Sequence, residues 1–321
     1  MKTSKSSNIS SKSASENMHY TGRFAPSPTG PLHFGSLIAA VASYLCARQI
    51  SHNNQGKWLL RIEDVDSQRC QQSHALSIIS TLENYGFEWD DEILYQSQRP
   101  EAYQAALDSI TDKIYPCSCT RKALRENSSS SKYSYTYPGF CREGVRNPAS
   151  DNRSIRLRTN QNPVCFTDQC QPQPFCQNIE TEVGDFIVKR SDEMFAYHLA
   201  VVVDDHWQQV NHIVRGSDLF DNTPRQLYLQ SLLAYSHPQY LHIPVAVDAQ
   251  GKKLSKQNLS PEIPMLQRRF TLIKALEFLG QVVPDKSNFS SLDDLWKWAV
   301  ENWDTKKIPA VMTKQYDDTI I

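Results

Sequence analysis

The chain has no apolar run near the roughly 18 residues that a membrane-spanning helix needs. Its longest apolar stretches, such as Leu199–Val203, have the length of a buried strand or helix face. A soluble, cytoplasmic protein with no membrane partner is expected. A secretory signal is also missing, because the serine-rich segment from Met1 to Asn17 has no apolar centre. The same segment has no arginine, which speaks against a transit peptide, and residues 1–18 are taken as a solvated tail. Net charge is nearly absent, with 34 Lys and Arg against 35 Asp and Glu, so the overall balance gives no sign of a nucleic-acid partner. No internal repeat occurs, and no Ser–His–Asp arrangement suggests covalent catalysis. The eight cysteines, without a secretory signal, do not suggest a disulfide framework, and most are expected to be reduced and inert.

What the chain does have is enough apolar content, 40% over 321 residues, to bury a substantial core. Tyr20–Phe24 has the pattern of a short strand, and helical spacing begins near His33 with Leu37, Val41, Tyr44, Leu45 and Arg48. Lys57–Ile62 is an apolar strand ending in acids, followed by helical patterns over 70–85 and 100–114. This alternation predicts an α/β fold on a parallel sheet. Between 113 and 182 the pattern breaks into short strands with serines, prolines and cysteines, as an inserted module would. Strand and helix signals then alternate again, with strands at 186–189, 212–215 and 240–247 and helices at 196–204 and 223–233. After Lys256 the remainder has helical spacing, notably 272–279 and 292–303. The expected division is a first catalytic half over 19–112, an insert over 113–182, a second catalytic half over 183–257 and a helical region over 258–321.

Charge is distributed less evenly than the total suggests. From Lys113 to Arg158 ten basic residues face only Glu126, Glu143 and Asp151, about +7 locally. Such a field suits a phosphate backbone, and a solvated face is the plain alternative.

Two segments carry chemistry. The first, Gly22-Arg23-Phe24-Ala25-Pro26-Ser27-Pro28-Thr29-Gly30-Pro31-Leu32-His33-Phe34-Gly35-Ser36, joins a strand end, a Pro/Gly turn and a helix start. Backbone N–H groups and the helix dipole there point at an anion. His33 can donate to phosphate oxygens, and Gly35 leaves room for a flat base or ribose. The second, Gly251-Lys252-Lys253-Leu254-Ser255-Lys256-Gln257-Asn258, is a glycine-led cationic loop. Such a loop can neutralise charge on a transferring phosphate. Alone it would pass for a surface loop.

In this order and on this scaffold the two segments resemble the HIGH and KMSKS signatures of class I aminoacyl-tRNA synthetases. The opening Arg-Phe-Ala-Pro-Ser-Pro-Thr-Gly, and Ser36 in place of the second histidine, resemble the glutamyl/glutaminyl subgroup. Arg61-Ile62-Glu63-Asp64-Val65-Asp66 and the tract Tyr197–Arg225 resemble further segments of it. The resemblance covers most of residues 20–258 and implies a class I Rossmann-like parallel sheet. It implies that Arg23, Ser27, Tyr197 and Arg215 contact glutamate and that Glu63 engages its ammonium. The charges agree, since arginine forks suit carboxylates and a carboxylate suits an ammonium. The plain alternatives are a surface ion pair for Glu63 and Asp66, and a bridge from Arg215 to Asp218. His33, Gly35, Ser36, Lys253, Ser255 and Lys256 would serve ATP and its Mg²⁺, with His33 and Lys256 stabilising charge on the phosphate.

Cys117, Cys119, Tyr137 and Cys141 offer three thiols and a phenol, enough for a tetrahedral zinc. The set resembles the Cys-x-Cys…Tyr-x-x-x-Cys pattern of short glutamyl-type enzymes and implies one Zn²⁺ per chain. A longer, serine-rich spacer leaves Tyr133 and Tyr135 as alternatives for the fourth ligand. Cys165, Cys170 and Cys176 are a fallback set. Only 63 residues follow Asn258, room for a short helical piece that contacts an RNA stem. The zinc pattern and this brevity resemble the glutamyl-Q tRNA(Asp) synthetases. That implies activation of L-glutamate with ATP and transfer to the queuosine base in the anticodon of tRNA(Asp). A compact synthetase charging a tRNA 3′ end, and an inactive tRNA-binding paralogue, are the rivals. Loss of His33 or Lys256 would favour the latter, and both are present.

Overall fold

The computed structural model describes residues 19–50, 56–127, 136–254, 262–285 and 288–316. Strand β1 (Tyr20–Phe24) leads through the Pro/Gly turn into α1 (Phe34–Ile50), and β2 (Gly56–Ile62) pairs parallel with β1. Trp58 to Ile62 are all buried along β2, the mark of a strand covered on both faces. Helix α1 is apolar nearly all round and accordingly buried nearly all round. Helix α2 (Gln72–Asn84) precedes β3 (Leu94–Tyr95), which pairs parallel with β2. Helix α3 spans Pro100–Ser109, shorter than its spacing suggests, because a 3₁₀ turn at Thr111–Lys113 releases Ile114 into a strand.

That strand, β4 (Ile114–Cys117), opens the insert and is followed by α4 (Arg121–Asn127) and β5 (Ser154–Leu157). Next come a hairpin, β6 (Val164–Phe166) with β7 (Phe175–Gln177), a short α5 (Ile179–Glu182) and β8 (Ile187–Lys189). Sheet order β4-β5-β8 is antiparallel. The strand expected to resume the parallel pattern at 186–189 therefore pairs within the insert. The hairpin turns back onto the body, where Phe166 meets Phe220, Tyr240 and His242.

Helix α6 (Tyr197–Trp207), β9 (His212–Gly216), α7 (Thr223–Leu232) and β10 (Gln239–Ile243) complete the α/β alternation, with β10 parallel to β9. Asn211 stitches β9 to β1, since Thr21 N donates to its Oδ1 (2.8 Å) and its own N donates to Thr21 O (3.1 Å). The chain thus steps outward from β1 to one side and returns on the other, which makes the β1/β9 junction a topological switch point. In open α/β sheets ligands bind at such points, beyond the carboxyl ends of the strands. Pro244, which has no N–H for a ladder, divides the expected 240–247 strand and starts β11 (Val245–Val247).

The C-terminal region is helical only in part. Helices α8 (Arg268–Phe278) and α9 (Leu292–Asn302) are followed by β12 (Thr313–Gln315), parallel to β11. Leu272, Leu276, Leu295 and Trp296 join the core around α1, each buried side chain of this size contributing about 1.5–3 kcal/mol. No helix among the described residues is long and apolar enough to cross a membrane.

Candidate active site

The carboxyl ends of β1, β2, β9 and β10 open into a cleft of about 430 Å³. Arg23, Ser27, His33, Gly35, Ser36, Glu63, Tyr197, Arg215 and Lys253 all line it. The strand ends thus gather residues as distant in sequence as Arg23 and Arg215. Ser255 and Lys256 lie outside the described residues.

On one wall, Arg23 is buried and donates from Nε to Asp205 (3.1 Å). Arg61 reaches the same carboxylate (2.8 Å), Glu63 (3.2 Å) and Gln208 (2.9 Å). Burial alone would raise the Asp205 carboxyl, but the Arg23 and Arg61 charges hold it below its usual range. Glu63 goes the other way, because burial raises it more than Arg61 and Arg23 lower it. Glu63 is therefore an ion pair, but a buried one. Asp66 pairs with Arg69 and Arg190 nearer the surface. Tyr197 stands over this wall, its phenol raised by burial and then by the Glu63 charge.

Across the cleft Arg215 is equally buried, but its acceptors are all neutral. They are His242 Nε2 (3.0 Å), Gln226 Oε1 (2.8 Å), Thr223 Oγ1 (2.8 Å) and the Leu219 carbonyl (3.4 Å). No ion pair links it to Asp218, whose carboxylate instead meets Lys253 Nζ at 2.6 Å. A guanidinium stays charged in proteins. Among the described residues this one has no carboxylate within 4 Å, so the wall is a ready anion site.

At the floor, His33 immediately precedes α1. Its Nδ1 accepts from the Ser36 amide (3.3 Å), and its Nε2 lies 3.1 Å from Ser36 Oγ. A Cβ on Gly35 would come within 3.2 Å of both the His33 ring and the Leu254 carbonyl. Glycine thus lets the Lys253–Leu254 segment pass directly over the helix start.

The insert gathers its sulfurs as expected. The Sγ atoms of Cys117, Cys119 and Cys141 lie within 4.8 Å of one another. Cys119 and Cys141 are 3.7 Å apart, and Cys117 is 3.4 Å from the Tyr137 hydroxyl. Ligands around a tetrahedral zinc with bonds of about 2.3 Å sit about 3.8 Å apart, so the donors fit the ion. Burial and the neighbouring Cys117 and Cys141 push Cys119 up to about 12. Burial raises Cys141 too, yet the backbone N–H groups at Arg146 and Ser118 draw it down to about 7. Tyr137 is pinned by Gly184, whose Cβ position lies 2.2 Å from the Tyr137 carbonyl and whose φ is +76°. Only glycine fits such an approach. Tyr133 and Tyr135 fall outside the described residues. The fallback cysteines do not converge, since Cys165 and Cys176 form a disulfide across the β6–β7 hairpin, contrary to the expectation that they are reduced.

The basic stretch is partly spent inside the fold. Arg156 is buried, donating to Cys117 Sγ (3.2 Å) and the Asp185 carbonyl (2.6 Å). Arg142 is held by Asp185 and Glu180, and Arg153 by the carbonyls of Ser150 and Pro148. Arg146, over the Phe140 ring at 4.4 Å, and exposed Lys122 face outward.

The sequence did not single out Asp205, Arg61, Asp168 or His242. A signal existed for two of them. Arg61 interrupts the apolar run Trp58–Ile62, and Asp204-Asp205 closes the apolar run of α6. Charges at core positions need partners. Asp168 and His242 carry no comparable local mark.

The family described as tRNA synthetases class I (E and Q), catalytic domain, matches residues 20–318. The chain belongs to this family. Among curated members, a protein of Dechloromonas aromatica is 46% identical over 91% of this chain and 97% of its own length. One of Pseudomonas aeruginosa is 45% identical over 92% and 97%. Both are named glutamyl-Q tRNA(Asp) synthetase. The glutamate–tRNA synthetase of Elizabethkingia anophelis shares the class I synthetase fold at a TM-score of 0.73 and 23% identity, covering 94% of this chain and 68% of that one.

Proposed function

We propose that this chain is a ligase that activates L-glutamate with ATP and transfers it to the queuosine base of tRNA(Asp). The observation that carries the reading is the cleft, which joins a balanced Arg23–Asp205–Arg61–Glu63 wall, an uncompensated Arg215 and an anion-ready helix start. Its close relatives bear the name of that activity.

Arg215 and the free terminal nitrogens of Arg23 would take the two carboxylates of glutamate, and Glu63 its ammonium. The α-carboxylate then attacks the α-phosphate of ATP, giving glutamyl-adenylate and pyrophosphate. His33, Lys253 and Lys256 hold the phosphate charge as it builds. Mg²⁺ supplies further charge neutralisation along with the nucleotide. Glu63 and Asp218, the carboxylates lining the cleft, are already paired, so the ion would be carried by the phosphates. A queuosine hydroxyl then attacks the adenylate carbonyl and AMP leaves. A splayed anticodon-loop base enters a pocket more readily than a paired one. Arg146, Lys122 and the remaining outward basic residues of the insert would meet the RNA phosphates.

Cys117, Cys119, Tyr137 and Cys141 would hold one zinc, which fixes the insert's short elements to one another. Arg156, donating to Cys117, would hold its sulfur in place. Metal analysis should find about one zinc per chain, and Cys119→Ser should lose it and loosen residues 114–189 to protease. Zinc-free protein with an unchanged digestion pattern would remove the assignment.

The test of the function is direct. Labelled glutamate and ATP should modify tRNA from ordinary cells and leave tRNA from queuosine-deficient cells unlabelled. Label on the unmodified tRNA, or at the terminal adenosine, would mean a 3′-end synthetase instead.

A further inference from the structure

Behind Arg215, away from the cleft, stands a buried pair that the activation chemistry does not touch. His242 is fully buried on β10 and Asp168 nearly so, in the turn of the β6–β7 hairpin. Asp168 Oδ2 lies 2.6 Å from His242 Nδ1 and accepts from the His242 amide at 3.1 Å. Its Oδ1 accepts from the amides of Cys170 (2.9 Å) and Gln171 (3.2 Å). The carboxylate is therefore held from three backbone positions and fixed in place.

The hydrogen bonds dictate a tautomer. Arg215 Nε can only donate, so His242 Nε2 must present a lone pair. The imidazole proton then sits on Nδ1, where Asp168 receives it. Burial pushes His242 down to about 4, against the Asp168 hydrogen bond, so the ring is neutral at pH 7. The negative charge of Asp168 stays one imidazole away from the guanidinium. Direct contact would have neutralised Arg215 and weakened its pull on a ligand anion.

We propose that Asp168 and His242 are positioning residues for Arg215, fixing its fork towards the cleft while leaving its charge unspent for the side-chain carboxylate of the amino-acid substrate. This rests on the glutamate-activating reading and deepens it, because it assigns the glutamate-over-glutamine preference to a pair outside the pocket. An imidazole acceptor orients Nε without competing for the charge. Asn at 168 could accept or donate, which would leave both tautomers open and let Arg215 turn.

The experiment is glutamate-dependent ATP–pyrophosphate exchange on the full chain. Asp168→Asn should raise KM for glutamate about tenfold, the size of one lost charge-assisted contact, with a smaller change in kcat and no change in KM for ATP. Preference for glutamate over glutamine should fall in parallel. His242→Leu should do the same more strongly, and His242→Gln, which restores an acceptor for Nε, should recover part of the loss. Circular-dichroism melts of each variant separate repositioning from unfolding, and a general structural role would shift both KM values together. An unchanged glutamate KM in Asp168→Asn and His242→Leu, or an equal rise for ATP, overturns the proposal. Absence of exchange with the unaltered chain instead overturns the glutamate reading itself.

Discussion

On the β1–β2 side of the cleft Arg23 and Arg61 share Asp205, and Arg61 also meets Glu63. On the β9–β10 side Arg215 has only neutral acceptors. Both sides bury arginine, yet one is electrically closed and the other open. A closed wall is costly to break from one side and can orient a zwitterion. An open wall adds less to the fold and keeps its field for a ligand. Stability and binding should therefore separate by wall, and substitutions can probe that separation.

The largest effect is expected on stability at the closed wall. Asp205→Ala leaves Arg23 and Arg61 without their shared partner and should cost about 3–5 kcal/mol, the usual result of breaking a buried pair from one side. Urea unfolding reads this. A loss below about 1 kcal/mol would mean that the wall is not a unit.

The open wall should respond in binding. Arg215→Lys keeps the charge but loses the planar fork. Glutamate KM should rise about ten- to a hundredfold, as for a lost hydrogen bond to a charged group. The melting temperature should move much less than for Asp205→Ala. Equal destabilisation by both substitutions would erase the contrast between the walls.

The smallest effect on stability, and the sharpest in sign, concerns Glu63. Its carboxyl is raised by burial, so the folded state holds the proton more tightly than the unfolded one. The stabilisation belonging to the protonated form is present at low pH and lost as pH rises through the raised value. Asp205 is lowered, and its contribution is present above the unfolded carboxylate value and lost as pH falls through the lowered one. Glu63→Gln should therefore melt no lower than the unaltered chain at neutral pH, while glutamate KM rises as an ammonium partner is lost. A clear fall in melting temperature would show that Glu63 is held mainly by its Arg61 pair.

The elements legible in the sequence were those marked by local pattern. The Pro/Gly turn before His33, the apolar run of β2 and the helical spacing of α6 each carry their own signal. Strand β12 does not, because Thr313–Gln315 is strand only through pairing with Val245–Val247. The Ile187–Lys189 strand had the right type but the wrong partner, since three residues do not specify direction. In the cleft, residues within motifs were found and their supports were not. His242 reaches Asp168 across 74 positions, and no spacing rule spans that distance. The basic count from Lys113 to Arg158 overstated the outward field, because composition does not tell which arginines turn inward to Asp185 and Cys117.

On the proposed reading, the open Arg215 wall and the Glu63 wall would together select glutamate. The most direct measurement compares ATP–pyrophosphate exchange with L-glutamate, L-glutamine and L-aspartate at matched concentrations on the unaltered protein. Exchange with glutamate should run far above that with glutamine, because the amide brings no charge to Arg215, and little should occur with aspartate, whose carboxylate is one methylene short. Equal exchange with glutamine and glutamate would contradict it.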